Sequence, residues 1–376
     1  MAKVPINSVM LAWAMNQSDA TPRQLASVTS RPIHAVEAWL EGTDNPHVGD
    51  LSSLARFLGR SPQFFRLPKP PDTAKSPVNR RAALVDAVDA TPRESLAVRQ
   101  TARLQTISRW SADKLGAEPL RLPAVQGRTA AAYAQTVRAW LGWQVREQVR
   151  ATSKARVFRD LRRAIEAKGI LVFLQKIGDD NSRGFSIPDS HVPAIFINAS
   201  FRLGSVRSYT LLHELAHLAR GDAVLHHEQD NAAERWCEAF AAAFLIPADD
   251  LAEYLSKGVV SKTKPDDLRR VRLVSNRYGA SWQSVGYRLV ELKHAPDHLP
   301  AIIAQGSEPS ESGFGSPDGG GRTAAEIRLD EYGSEFSRLI VSALQEQSLS
   351  ALDVRKFLRV DAEQLQELVT HLGISA

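Results

Sequence analysis

Residues 207–222 read RSYTLLHELAHLARGD, with two histidines four apart and a glutamate directly after the first. On an α-helix each residue advances about 100°, so His213 and His217 project from one face. Leu211, Leu215, Leu218 and Ala219 fall on the opposite side and would bury. Two neutral imidazoles can each hold a zinc ion at about 2.0–2.1 Å. Glu214 points to one side of the pair, where it could take a proton from a water activated by that ion. The chemistry would be metal-assisted hydrolysis. The same residue types also occur as a polar stripe on a half-exposed helix, so a third ligand has to decide.

The His-Glu-x-x-His spacing is the one zinc peptidases use, and their tetrahedral site takes three protein ligands and keeps one position open. The metzincin pattern would need glycine and histidine three and six residues after His217, but Arg220 and Ala223 stand there. His226 and His227 follow in a polar stretch and are possible donors. The next apolar-periodic segment, NAAERWCEAFAAAFLIP, reads as a long helix closed by Pro247. On it Glu234, Glu238, Ala241 and Leu245 share a face, while Trp236, Phe240 and Phe244 pack elsewhere. Glu234 and Glu238 are one turn apart, and helical geometry alone leaves both open as the third ligand. Tyr209, one turn before His213, could hydrogen-bond a reaction intermediate, although helix packing is the commoner use. Cys237 reads as a small packed residue.

YTLLHELAHL, the upstream AIFIN run and ERWCEAFAAAFLIP together resemble the ImmA/IrrE family of zinc-dependent metallopeptidases, from about residue 155 to 300. The resemblance implies a Zn²⁺ cofactor held by His213, His217 and Glu234, with Glu214 as the catalytic base. It aligns Cys237 with a small residue and puts glutamate at position 238 where asparagine is usual, so Glu238 would be an orienting group near the metal. It also implies a regulatory role, since relatives often act on repressors of the Cro/cI type. An extended peptide can add to an exposed sheet edge. On that ground the strand carrying Ile195, Phe196, Ile197 and Asn198 is expected to align the substrate.

The elements that must position these residues are mainly helical with a small β-sheet, an α+β fold. A chain of 376 residues with 43% hydrophobic and 24% charged residues is long enough for several globular domains. A single cysteine excludes an internal disulfide. The N-terminal stretch lacks the apolar run of a signal peptide, and no window approaches a bilayer span, so a cytoplasmic protein is expected. Between Lys75 and Arg163 there are 18 Lys and Arg against 7 Asp and Glu, more than the whole chain's net +5. That excess could face phosphates or be a solvated helical face; no interleaved aromatic residues mark a stacking platform.

Residues 1–68 read as short helices. TPRQ, Thr21 to Gln24, is a capping box with proline at the first helical position. WLEGTDNP, a Leu-rich segment and SPQFF resemble the Cro/cI-type (XRE) helix-turn-helix family. The second helix of such a pair would be 31–41, with Arg31 and His34 at the end where bases are read. Glu37 and Glu41 would oppose a phosphate backbone, so protein contact rivals DNA contact. A Pro-rich linker is expected at 69–80, a helical basic connecting region at 81–154 and a peptidase domain at 155–300. A flexible Gly/Ser-rich linker at 301–326 and a helical C-terminal region at 327–376 would follow, with a capping box at Ser350 to Asp353. The expected partners are a repressor-like or antitoxin-like protein, DNA through the N-terminal domain, or a second copy in a homodimer, and not a membrane.

Overall fold

The structure is a computed structural model that describes residues 3–16, 18, 20–70, 91–178, 181–221, 231–306, 308 and 322–374. It is mainly helical with one three-stranded sheet, as expected of an α+β protein. It divides into two units, 1–106 with 180–182 and 107–179 with 183–376.

In the first unit, α1 (Ser8–Asn16), α2 (Pro22–Thr29), α3 (Ile33–Glu41) and α4 (Val48–Phe57) precede a 3₁₀ turn at Pro62–Arg66. The Thr21 hydroxyl accepts from the Gln24 N–H while Gln24 reaches back to the Thr21 N–H, which starts α2 as the TPRQ spacing expects. The unit's core is Leu11, Leu25, Val36, Trp39, Leu51, Leu54 and Phe65. Helix α3 starts at Ile33 rather than at residue 31. Pro32 disfavours helical backbone at the residue before it, so Arg31 lies in the turn between α2 and α3. Helix α5 (Pro92–Lys114) contains the division between the two units.

The second unit is built around β1 (Leu171–Gln175), β2 (Gly184–Ile187) and β3 (Ala194–Asn198), in the spatial order β1-β3-β2. β3 runs parallel to β1, pairing Phe173 with Phe196, and antiparallel to β2, pairing Phe185 with Phe196. All five residues of β3 are buried, as an apolar run covered on both faces should be. Helices α6 (Ala130–Leu141), α7 (Val145–Gln148) and α8 (Lys154–Glu166) precede the sheet. After it come α9 (Gly204–Arg220), α10 (Asn231–Leu245), α11 (Ala248–Leu255), α12 (Leu268–Tyr278), α13 (Trp282–Glu291) and α14 (Leu299–Gln305). One hydrophobic core joins Tyr133, Phe158, Leu161, Ile195, Leu215, Phe240, Phe244 and Leu289. It begins at Ala130, upstream of residue 155, because Tyr133 of α6 packs its ring against Trp236 and Phe240 of α10.

The C-terminal helices are α15 (Ala324–Tyr332), α16 (Ser334–Gln345), α17 (Ala351–Leu358) and α18 (Ala362–His371), of which α15 and α16 pack on β1. The tail is tied down by Glu166, whose carboxylate pairs with Arg162 at 2.8 Å and accepts the Ser334 N–H at 3.1 Å. Helix covers 299–305 and 324–332, so residues 301–305 and 324–326 of the linker expected at 301–326 are helical. Residues 307 and 309–321 of that stretch, and 71–80 of the Pro-rich one, lie outside the described residues. At Ser350 only half of the expected box forms: its hydroxyl accepts from the Asp353 N–H and donates to the Asp353 carboxylate at 2.6 Å. Among the described residues no helix is long and apolar enough to cross a membrane.

Candidate metal centre

Helix α9 lies between β2, α8 and α10, and two glycines allow it to come so close. A Cβ on Gly204 would stand 2.5 Å from the Ala155 nitrogen. A Cβ on Gly184 would stand 2.7 Å from both the Phe196 oxygen and Thr210 Cγ2. Helix α10 is fixed at its C-terminal end, where the last helical carbonyls need donors. Arg138 donates to Phe244 O at 2.6 Å, Gln148 to Leu245 O at 2.8 Å and Arg288 to Ile246 O at 3.1 Å. Leu211, Leu215 and Leu218 are buried as the helical stripe requires.

His213 and His217 point their Nε2 atoms the same way, 3.0 Å apart. Glu234 of α10 closes the triangle, with Oε2 at 3.2 Å from His213 Nε2 and Oε1 at 3.4 Å from His217 Nε2. Three donors bound tetrahedrally at 2.0–2.1 Å would be about 3.3–3.4 Å from one another. The three side chains therefore fit a small divalent ion, and they are the group among the described residues that could hold one. Burial brings the His213 imidazole down to about 4, helped by the neighbouring His217, so the ring is neutral and its lone pair is available. Burial also pushes the Glu214 carboxyl up to about 8; the Ser186 hydroxyl opposes the rise and Glu234 adds to it. Ser186 Oγ is itself buried without a hydrogen bond of ordinary geometry.

The other sequence expectations divide. Glu238 is exposed and outside the cluster, while its backbone carbonyl accepts the Tyr209 hydroxyl at 3.2 Å. Tyr209 thus ties α9 to α10, and burial, then Glu238, raises its phenol well above the ordinary value. Cys237 is fully buried, as a packed small residue should be, and its Sγ is 3.8 Å from His217 Nδ1. His226 and His227 lie outside the described residues.

The expectation that Ile195, Phe196, Ile197 and Asn198 form the substrate strand is overturned. They belong to β3, the central strand, whose two edges are taken by β1 and β2. Phe196 stacks on Phe185 at 4.6 Å, and the Asn198 side chain bonds Gly178 O at 2.6 Å and Ser200 N at 3.0 Å. The strand packed on α9 beside Glu214 is β2, which sequence reasoning missed along with Ser186. Its four residues, GFSI, are too short to show a period.

Arg31 and His34 are not part of this centre. Arg31 is held by Asp50 of α4, Nη2 to Oδ2 at 3.1 Å, and His34 is exposed on α3 with Glu37 and Glu41.

No curated protein and no solved structure matches the chain. Residues 165–290 match the peptidase M78 family model, described as the IrrE N-terminal-like domain. His213, Glu214, His217 and Glu234 all fall within that span, which is therefore similar to the IrrE N-terminal-like domain in the stretch that carries the candidate metal centre.

Proposed function

We propose that the protein is a zinc-dependent endopeptidase with a regulatory role, hydrolysing peptide bonds in one or few proteins. The observation that carries this reading is the triangle of His213, His217 and Glu234, sized for a tetrahedral ion, with Glu214 adjoining it. When bound there, zinc supplies Lewis acidity and activates water at neutral pH. His213 and His217 would hold the ion through Nε2, and Glu234 would hold it through its carboxylate. Glu214, ionised once a cation neutralises the site, accepts a proton from the attacking water and delivers it to the leaving amine.

A denatured peptide library, with cleavage read by mass spectrometry, tests the reading. Cleavage should appear with one equivalent of zinc and vanish on chelation. Cleavage indifferent to chelation would reject it.

The substrate class that best suits the chain is a repressor-like or antitoxin-like protein docked by the N-terminal helices, in the cytoplasm. The rival is a DNA-binding regulator whose metal domain only senses. Arg31 speaks against it: the one arginine at the expected base-reading end already has a carboxylate partner, and the exposed face of α3 presents Ile33, Glu37 and Glu41. Binding to its own promoter DNA at two salt concentrations separates them. A specific nanomolar complex would favour the rival.

A further inference from the structure

We propose that Cys237 is the positioning residue for His217, holding its ring so that Nε2 faces the metal. The inference rests on the metal reading above. Both histidines turn Nε2 toward Glu234, so the ring nitrogen left over on His217 is Nδ1. A neutral imidazole carries one N–H, and when Nε2 binds a metal that N–H must be at Nδ1. Ligand histidines normally give this proton to a carboxylate or carbonyl, which fixes the ring's orientation. Here Nδ1 faces the sulfur of Cys237 at 3.8 Å, within reach of an N–H···S contact.

Both partners are buried, Cys237 at 0% and His217 at 6% exposure. Cys237 lies three residues beyond Glu234, one turn along α10. One helix therefore brings both a donor for the ion and a stop for the opposing ring, and the two are set together by the packing of α10 on α9. A carboxylate in so enclosed a place would carry a large desolvation cost. A thiol fits the same space as a small apolar group with a weak acceptor.

Competition against a chromophoric chelator on the full chain measures zinc affinity for wild type, Cys237→Ser, Cys237→Val and His213→Ala. Cobalt(II) absorption and thermal unfolding of the metal-free forms accompany it. Serine keeps an acceptor and valine keeps only bulk, so positioning and packing predict opposite orders. Cys237→Ser should bind zinc within about threefold of wild type, and Cys237→Val about tenfold more weakly with displaced cobalt d–d bands. Valine binding like wild type, or serine weakened as far as valine, would overturn the proposal. So would a sulfur-to-cobalt charge-transfer band in wild type, which would make the thiolate a ligand. Wild type binding no more zinc than His213→Ala would instead remove the metal reading on which the proposal rests.

Discussion

On α9 and α10 the polar groups that meet are electron-pair donors: two imidazoles and a carboxylate converge on one point, with a second carboxyl beside them. In the N-terminal unit Arg31 is already matched against Asp50. Both regions bring polar side chains together, but only the second supplies an opposite charge from its own chain. A completed ion pair holds a turn in place. A converging set of donors is incomplete until a cation arrives, and its cost in stability is understandable as preparation for one.

The widest separation between the regions comes from Glu214→Gln. It should leave bound zinc unchanged and lower cleavage by about 10²–10⁴-fold, measured as turnover alongside metal content; undiminished turnover would remove the catalytic distinction. The same variant sharpens the comparison through pH. In chelated protein Glu214 sits at about 8 against an ordinary 4.5, so between these values the unfolded chain ionises while the folded one does not. Stability should therefore fall as pH rises from 4.5 to about 8, and that fall should disappear in Glu214→Gln. His213, lowered from 6.5 to about 4, acts in the opposite direction: the unfolded chain takes the proton first, and stability falls as pH drops through that window. Denaturant melts across pH 4–9 read both arms, and an alkaline arm persisting in the variant would assign it to another group.

A smaller effect is expected where β2 meets α9. Gly184→Ala places a Cβ against the Phe196 carbonyl and Thr210, and should cost about 1–3 kcal/mol in urea unfolding. Smallest of all is Arg31→Ala, with a loss of about 1 kcal/mol or less from a half-exposed pair and no change in zinc content. A large change in metal binding there would show that the two regions are not functionally separate.

The His213–His217 pair was legible because helical period alone puts residues four apart on one face. Helical period alone does not give the third ligand, since Glu234 and Glu238 share a face; the resemblance implies Glu234, and that is where along α10 the helix approaches the imidazoles. Strand β3 could be read from its apolar run, AIFIN, but a run of buried residues says nothing about its neighbours in a sheet. Hence β3, expected to receive a substrate, proves to be the centre of the sheet, and the short β2 went unseen. The helix expected from residue 31 starts two residues later, at Ile33, for a local reason, the proline after Arg31. The pairing of Arg31 with Asp50, 19 positions away, is a tertiary contact that no spacing announces.

Zinc content by mass spectrometry of the native full chain tests the central claim most directly. The account predicts one zinc per chain in wild type and in Glu238→Ala, and loss of it in His213→Ala and in Glu234→Ala. Zinc retained by Glu234→Ala but lost from Glu238→Ala, or absent from wild type after zinc loading, would contradict it.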